Sequence, residues 1–162
     1  MVTERLVLSP LRVEDADEML SVLEDDSLYE FIGGVPPSLK ELRSRYERFL
    51  AGSESDNETW FNWIVRPAKD SGAIGSLQAT IVRTNEGRSV AEVSWIIGTR
   101  WQKQGFASEA ARALVRWLRA RGVVEVCAHI DACHRASAVV AGRAGLQSTA
   151  EQRDGEIIWR TN

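Results

Sequence analysis

The chain predicts a mixed α/β sandwich folded as one domain over residues 1–162, and three observations carry that reading. Apolar residues alternate in some segments and recur every three or four residues in others, which separates strands from helices. Clusters of Gly, Asp, Asn and Ser punctuate those segments at short intervals. At 162 residues the chain can bury one hydrophobic core and is too short for two comfortable domains, with no repeat or linker to divide it. The predicted order is β-α-α-β-β-β-α-β-α-β-β.

Taken in order, Leu6, Val7 and Leu8 form a first strand, and residues 14–23 a helix with acids in its first turn and Ala16, Met19, Leu20 and Leu23 on its apolar face. A loop holding Tyr29, Phe31, Gly33, Gly34, Pro36 and Pro37 follows. It ends at Ser38-Leu39-Lys40-Glu41, the spacing of a capping box. The helix begun there presents Leu39, Leu42, Tyr46, Phe49 and Leu50 at helical intervals. Strands are predicted over 60–65, 73–82 and 90–97, separated by turns at Asp70-Ser71-Gly72 and Asn85-Glu86-Gly87. A strongly amphipathic helix then runs from Ala107 to near Gly122, with Ala110, Ala111, Leu114, Val115 and Leu118 on one face. Residues 123–130 alternate as a strand, 136–144 form a short helix, and 146–151 with 156–159 make a hairpin around Asp154-Gly155.

Composition narrows the function classes. With 44% hydrophobic and 27% charged residues the chain has the balance of a soluble globular protein. No apolar run approaches the roughly 18 residues of a membrane span, and Met1-Val2-Thr3-Glu4-Arg5 enters a strand pattern with no signal-peptide core, so the expected place is the cytoplasm, away from membranes. A net charge of −3 argues against nucleic acid as a partner and is compatible with a cationic substrate. Cys127 and Cys133 read as free thiols, and no metal site is expected.

The most informative stretch is Arg100-Trp101-Gln102-Lys103-Gln104-Gly105-Phe106-Ala107-Ser108-Glu109, a basic, glycine-containing turn between an alternating strand and a helix. Successive backbone N–H groups at a helix start, with the positive end of the helix dipole, favour a phosphate or pyrophosphate, and Gly105 allows the backbone a close approach.

Gln102-x-x-Gly105-x-Ala107 resembles the Gln/Arg-x-x-Gly-x-Gly/Ala motif of the GCN5-related N-acetyltransferases. The strand end Trp95-Ile96-Ile97-Gly98, the helix start Ala107-Ser108-Glu109-Ala110, His134-x-x-Ser137 and Ala144-Gly145-Leu146 extend the resemblance over nearly the whole chain, toward the branch of ribosomal-protein N-terminal acetyltransferases. The resemblance implies a mainly antiparallel central sheet flanked by helices. It also implies an acetyl group passed directly, in a ternary complex, from acetyl-coenzyme A to a primary amine, either a protein N-terminus or a small molecule. Oligomeric state stays open between monomer and homodimer.

By the same resemblance, Gln102, Lys103, Gln104, Gly105, Phe106, Ala107 and Ser108 grip the pyrophosphate, while Ile97 and Gly98 pair with the pantetheine arm. Lys103 either touches phosphate or is a solvated charge. Along the strand Ala91, Val93, Trp95 and Ile97 point one way and Glu92, Ser94 and Ile96 the other. Glu92 matches the residue that in several relatives draws a proton from the amine, directly or through water, and would also meet the acceptor; its alternative is a solvated carboxylate. Many relatives place a tyrosine in the helix after the fifth main strand, and residues 134–144 contain none. Ser137 is left either as donor to the departing thiolate, as a cap, or as a contact to the pantetheine. His134 stands where the family usually has Asn, which puts that cofactor contact in doubt. Tyr29 and Phe31 are candidate acceptor contacts, Trp60 and Trp63 candidate pocket walls or core, and the 152–155 turn would flank the groove. A non-catalytic acyl-coenzyme A sensor on the same fold is the alternative reading.

Overall fold

The computed structural model describes residues 1–161. Its strands are β1 (Leu6–Pro10), β2 (Glu58–Pro67), β3 (Gly75–Arg83), β4 (Ser89–Ile97), β5 (Val123–Asp131), β6 (Leu146–Arg153) and β7 (Glu156–Thr161), and its helices α1 (Asp15–Val22), α2 (Leu39–Ala51), α3 (Phe106–Arg119) and α4 (Arg135–Ala144). They form a seven-stranded sheet in the order β1-β2-β3-β4-β5-β7-β6. Every neighbouring pair is antiparallel except β4 and β5, which run parallel and are joined through α3. The predicted element order holds, with two short 3₁₀ turns added at Asp26–Tyr29 and Thr99–Trp101.

Both faces of the sheet are covered, and side-chain alternation decides which residue serves which face. Trp63 and Val65 of β2 join a core with Leu77, Val93, Ala110, Leu114, Leu118 and Ala141, under α3 and α4. Ile64, between them, joins the second core with Met19, Leu42 and Tyr46, under α1 and α2. The alanines of α3 let that helix lie close to the sheet; Ala110 and Leu114 are fully buried. On the other face, Arg66 fastens α1 to β2 by donating to Asp15 Oδ1 (2.7 Å) and to Glu18. No described helix is long and apolar enough to cross a membrane.

Local signals account for most boundaries. The Ser38 hydroxyl accepts from Glu41 N–H while the Glu41 carboxylate accepts from Ser38 N–H (2.8 Å), closing the capping box that starts α2. Asp154 and Gly155 take φ of 52° and 88°, the left-handed pair of a two-residue hairpin turn. One core expectation fails. Leu50 lies 55% exposed, because the buried stripe of α2 runs through Leu42 and Tyr46 and in the last turn Phe49 is the residue packed against Trp60 of β2.

Candidate active site

The turn between β4 and α3 is shaped by two left-handed residues, Lys103 (φ 60°) and Gly105 (φ 82°). Gly105 is the N-cap of α3, and no side chain caps this helix end. Its first-turn N–H groups are therefore presented toward a ligand, with the positive end of a 14-residue helix behind them. The turn is fastened from several sides. Gln102 Nε2 donates to Ile97 O (3.0 Å), and Gln104 Nε2 to Arg100 O (3.3 Å). From the N-terminal segment, Arg5 donates to Gln104 O (3.0 Å) and to Glu109 Oε2 (2.7 Å), with its guanidinium 4.8 Å from the Phe106 ring centroid. Burial pushes the Glu109 carboxyl up, but donors from Thr3, from Arg5 N–H and from the Arg5 guanidinium outweigh it and hold the group below its ordinary value. Ser108, in the first turn of α3, is buried. These features suit a pyrophosphate: uncapped N–H donors stand at a helix start, and Gly105 takes a left-handed backbone conformation that other residues rarely adopt.

The second feature is a divergence of strands. β4 and β5 pair from Ser89↔Val123 to Glu92↔Cys127, and beyond Glu92 they part. On its other edge β5 pairs with β7, from Cys127↔Arg160 to Asp131↔Glu156. The opening is a cleft with Val93, Ser94 and Trp95 on one side and Ala128, His129, Ile130 and Asp131 on the other. His134 and Ser137 of the α4 start, Glu156 of β7, and Phe31 and Ile32 of the loop between α1 and α2 complete its lining. Glu92 stands where the strands part, its side chain 53% exposed and Oε1 3.9 Å from His129 Nδ1.

Most of the candidate residues fall at the turn or the cleft, and three differ from expectation in detail. Tyr29 is not among the cleft residues: its hydroxyl donates to Leu23 O (3.0 Å), stapling the loop to the end of α1. Gly98 has both backbone groups engaged, its N–H donating to Ile74 O and its carbonyl accepting from Trp101 N–H, each at 2.9 Å. A β-carbon there would come within 2.9 Å of the Trp101 ring, so packing explains the glycine. The Ile97 carbonyl is likewise taken by Gln102, which leaves the 93–96 stretch as the open edge of β4. Trp63 is core, edge-on to Trp117 at 4.9 Å, and Trp60 packs against Phe49.

His134 is neither loose nor fully exposed. Its ring stacks on Phe31 at 4.5 Å with 12° between planes, and its Nε2 lies 3.4 Å from Ser137 Oγ. Burial lowers its pKa, against the opposing pull of Asp131 and Glu30. Cys127 beside Glu92 has its thiol pushed up to about 11, by burial first and then by Glu92 and Glu125. It is protonated at neutral pH and poorly suited to carry an acyl group. His129 was missed by sequence reasoning, since only the parallel register of β4 and β5 brings it to Glu92.

A larger hollow of about 230 Å³ lies beside the turn, between the end of α1 and Thr99–Trp101. Thr99 Oγ1 donates to Asp25 Oδ2 (2.8 Å) there, and Asp25 also accepts from Ser27. Those bonds hold the Asp25 carboxyl below its ordinary range, Ser27 contributing most. The carboxylate of Glu24 also lines this hollow.

Comparisons with known proteins agree with this geometry. The family model described as "Acetyltransferase (GNAT) domain" matches residues 5–147. No curated protein matches the sequence. Among solved structures, the chain is similar to RimL, a ribosomal L7/L12 α-N-protein acetyltransferase in complex with coenzyme A (17% identity, 99% of this chain and 95% of that one, TM-score 0.80). A GNAT-family acetyltransferase from Bacillus anthracis is similar at 15% identity over 99% and 96% of the chains (TM-score 0.79). The aminoglycoside-bound AAC(6')-Ib, in complex with paromomycin and acetyl-CoA, is similar at 17% identity over 98% and 94% (TM-score 0.78). At these identities the structures speak to the fold, and the family match spans most of the sequence. The uncapped glycine turn, the parted parallel strands and that match together make this chain a member of the GNAT acetyltransferase family.

Proposed function

We propose that the protein is an N-acetyltransferase that moves an acetyl group from acetyl-coenzyme A directly to a primary amine. The observation that carries the reading is the parting of β4 and β5 just past Glu92, on the same strand that leads into the Gly105 turn. A pyrophosphate at the α3 start and an extended arm along the 93–96 edge of β4 would bring a thioester to the place where Glu92 stands. An open strand edge pairs readily with an amide-bearing chain, as an added strand would.

The residues then divide the work. Backbone N–H groups of the 102–108 turn hold the pyrophosphate, Gly105 admitting it. Glu92 draws a proton from the incoming ammonium, so that the nitrogen lone pair can reach the thioester carbon. A free backbone N–H on the β4 edge stabilises the oxyanion, in low-dielectric surroundings where such a donor counts most. The thiolate takes up a proton from Ser137 or from water. Cys127, protonated and flanked by carboxylates, supports a route without an acetylated enzyme. Phe31 and Ile32 wall the acceptor side, and the carboxylates of Asp131 and Glu156 favour an acceptor that arrives as a cation. Both a protein N-terminus and a small amine answer that description.

The test is thiol release from acetyl-coenzyme A with a panel of Ser-, Ala- and Met-initiated peptides, spermidine and paromomycin. Amine-dependent release is expected, and Glu92→Gln should lower it about 10²-fold or more at neutral pH with acetyl-coenzyme A affinity unchanged. Tight cofactor binding with no release on any amine points to the sensor instead; a Glu92→Gln rate equal to the parent's removes Glu92 as the base.

A further inference from the structure

We infer that the base of this active site is a pair, Glu92 with His129, and that the imidazole of His129 is the seat of the proton taken from the amine. The inference rests on the acetyltransferase reading above and adds a residue to it. Its ground is geometric. Parallel pairing places Glu92 opposite Cys127, and His129, two residues further on, shares the face of Cys127 and Glu92. The strands part immediately afterwards, and His129 is part of the lining of the cleft that opens there. His129 Nδ1 is 3.9 Å from Glu92 Oε1, a short side-chain adjustment away from a hydrogen bond. Its side chain is 17% exposed against 53% for Glu92, so the imidazole is the more enclosed member and Glu92 reaches it from the solvent side. Among the described residues the ring makes no hydrogen bond that would fix it to a structural task, and it is absent from the aromatic contacts that hold His134.

The charged groups around the ring suit a proton store. Glu92 faces it from β4, Cys127 and Asp131 flank it on β5, Glu156 lies across from Asp131 on β7, and His134 stands at the α4 start. Arg160 of β7 is engaged by Glu151 at 2.7 Å and Glu125 at 3.6 Å, and Arg153 of β6 lies 4.0 Å from Asp154. No Lys or Arg lines the cleft; the carboxylates of Asp131 and Glu156 do, and that of Glu92 stands 3.9 Å from the ring. Imidazoles as a class exchange protons near neutral pH, where a bare carboxylate is a weak base toward an ammonium.

The step balances as follows. Glu92 passes one proton from R–NH₃⁺ to the ring, and the freed lone pair forms the C–N bond at the thioester carbon. The C–S bond breaks with its electron pair going to sulfur, and the second proton lost by nitrogen ends on the thiolate as the thiol. The imidazolium then releases its proton to water, so that R–NH₃⁺ and the acetyl thioester give the amide, the thiol and one H⁺. Glu92 holds the ring and pairs with its charge while the proton resides there.

The experiment measures saturated rates from pH 6 to about 10 for the parent, His129→Gln, His129→Asn, Glu92→Gln and the double variant Glu92→Gln/His129→Gln. The acceptor is whichever of the peptides, spermidine or paromomycin turns over fastest; melting and acetyl-coenzyme A binding serve as controls for folding. Both His129 variants should be slower by about ten- to a hundredfold at pH 7, and the deficit should shrink at high pH, where the amine deprotonates unaided. The double variant should be no slower than the slower single one by more than about threefold, since the two side chains act as a unit. A parent-like rate for both His129 variants, or a deficit equal at every pH, overturns the inference. If Glu92→Gln is slow while the His129 variants are normal, the pair is wrong and the acetyltransferase reading stands. If no amine turns over at all, both fall together.

Discussion

Gly105 concentrates the physical demands of the turn. It is left-handed at φ 82°, it caps α3 without a side chain, and the space a β-carbon would enter lies 3.4 Å from Arg5. Gly105→Glu adds backbone strain, fills the approach and sets a negative charge toward the pyrophosphate. Acetyl-coenzyme A affinity should fall at least about tenfold, or ~1.4 kcal/mol, measured by calorimetry on a variant shown to be folded; parent-like binding would remove the turn as the cradle. Ser137 poses a different question, because its hydroxyl lies 3.4 Å from His134 at the start of α4 and lines the cleft. A thiol with pKa near 8.5 leaves readily, so a hydroxyl there adds about 1–3 kcal/mol at most. Ser137→Ala should slow saturated turnover roughly ten- to a hundredfold if the hydroxyl donates to sulfur. If it holds the pantetheine instead, the loss appears in acetyl-coenzyme A affinity with the saturated rate intact.

At the scale of elements, the start of α3 depends on the N-terminal segment. Thr3, the Arg5 N–H and the Arg5 guanidinium all donate to Glu109, whose side chain is 13% exposed. Glu109→Gln should cost about 1–2 kcal/mol at pH 7, on the scale of charge-assisted hydrogen bonds partly open to water. The sign with pH follows from the lowered carboxyl. A depressed folded-state pKa stabilises fully above the ordinary value of 4.5 and loses that contribution as pH falls through the lower folded value. The parent and Glu109→Gln melting temperatures should therefore differ at pH 7 and converge as pH drops below 4.5; a gap that persisted unchanged into acid would contradict the assignment. Elements were legible wherever the signal was local. The Ser38–Glu41 capping box, the Asp154-Gly155 turn and the alanine stripe of α3 each name their own structure. Leu50 was misplaced because helical spacing alone does not say which of two adjacent apolar residues, Phe49 or Leu50, meets the sheet.

For the whole molecule, what escaped the sequence is what depends on strand pairing. The turn around Gly105 is contiguous in sequence and could be read directly, whereas His129 and Glu92 are brought together only by the parallel register of β4 and β5. Tyr29 reads from the sequence as an acceptor contact and Gly98 as a pantetheine contact; the bonds of the one to Leu23 and of the other to Ile74 and Trp101 are features that no local pattern announces. The cleft itself is a long-range product: four segments far apart in sequence meet because the sheet opens between two strands and the loop carrying Phe31 stacks on His134. The most direct test of that assembly is amide hydrogen exchange with and without saturating acetyl-coenzyme A. Protection should rise together in the 93–97 end of β4, the 102–109 turn and helix start, and the 130–137 junction of β5 and α4, with β1, β2 and α2 unchanged. Binding that left those three segments unprotected, or that protected the hollow at 21–25 alone, would contradict the placement of the active site.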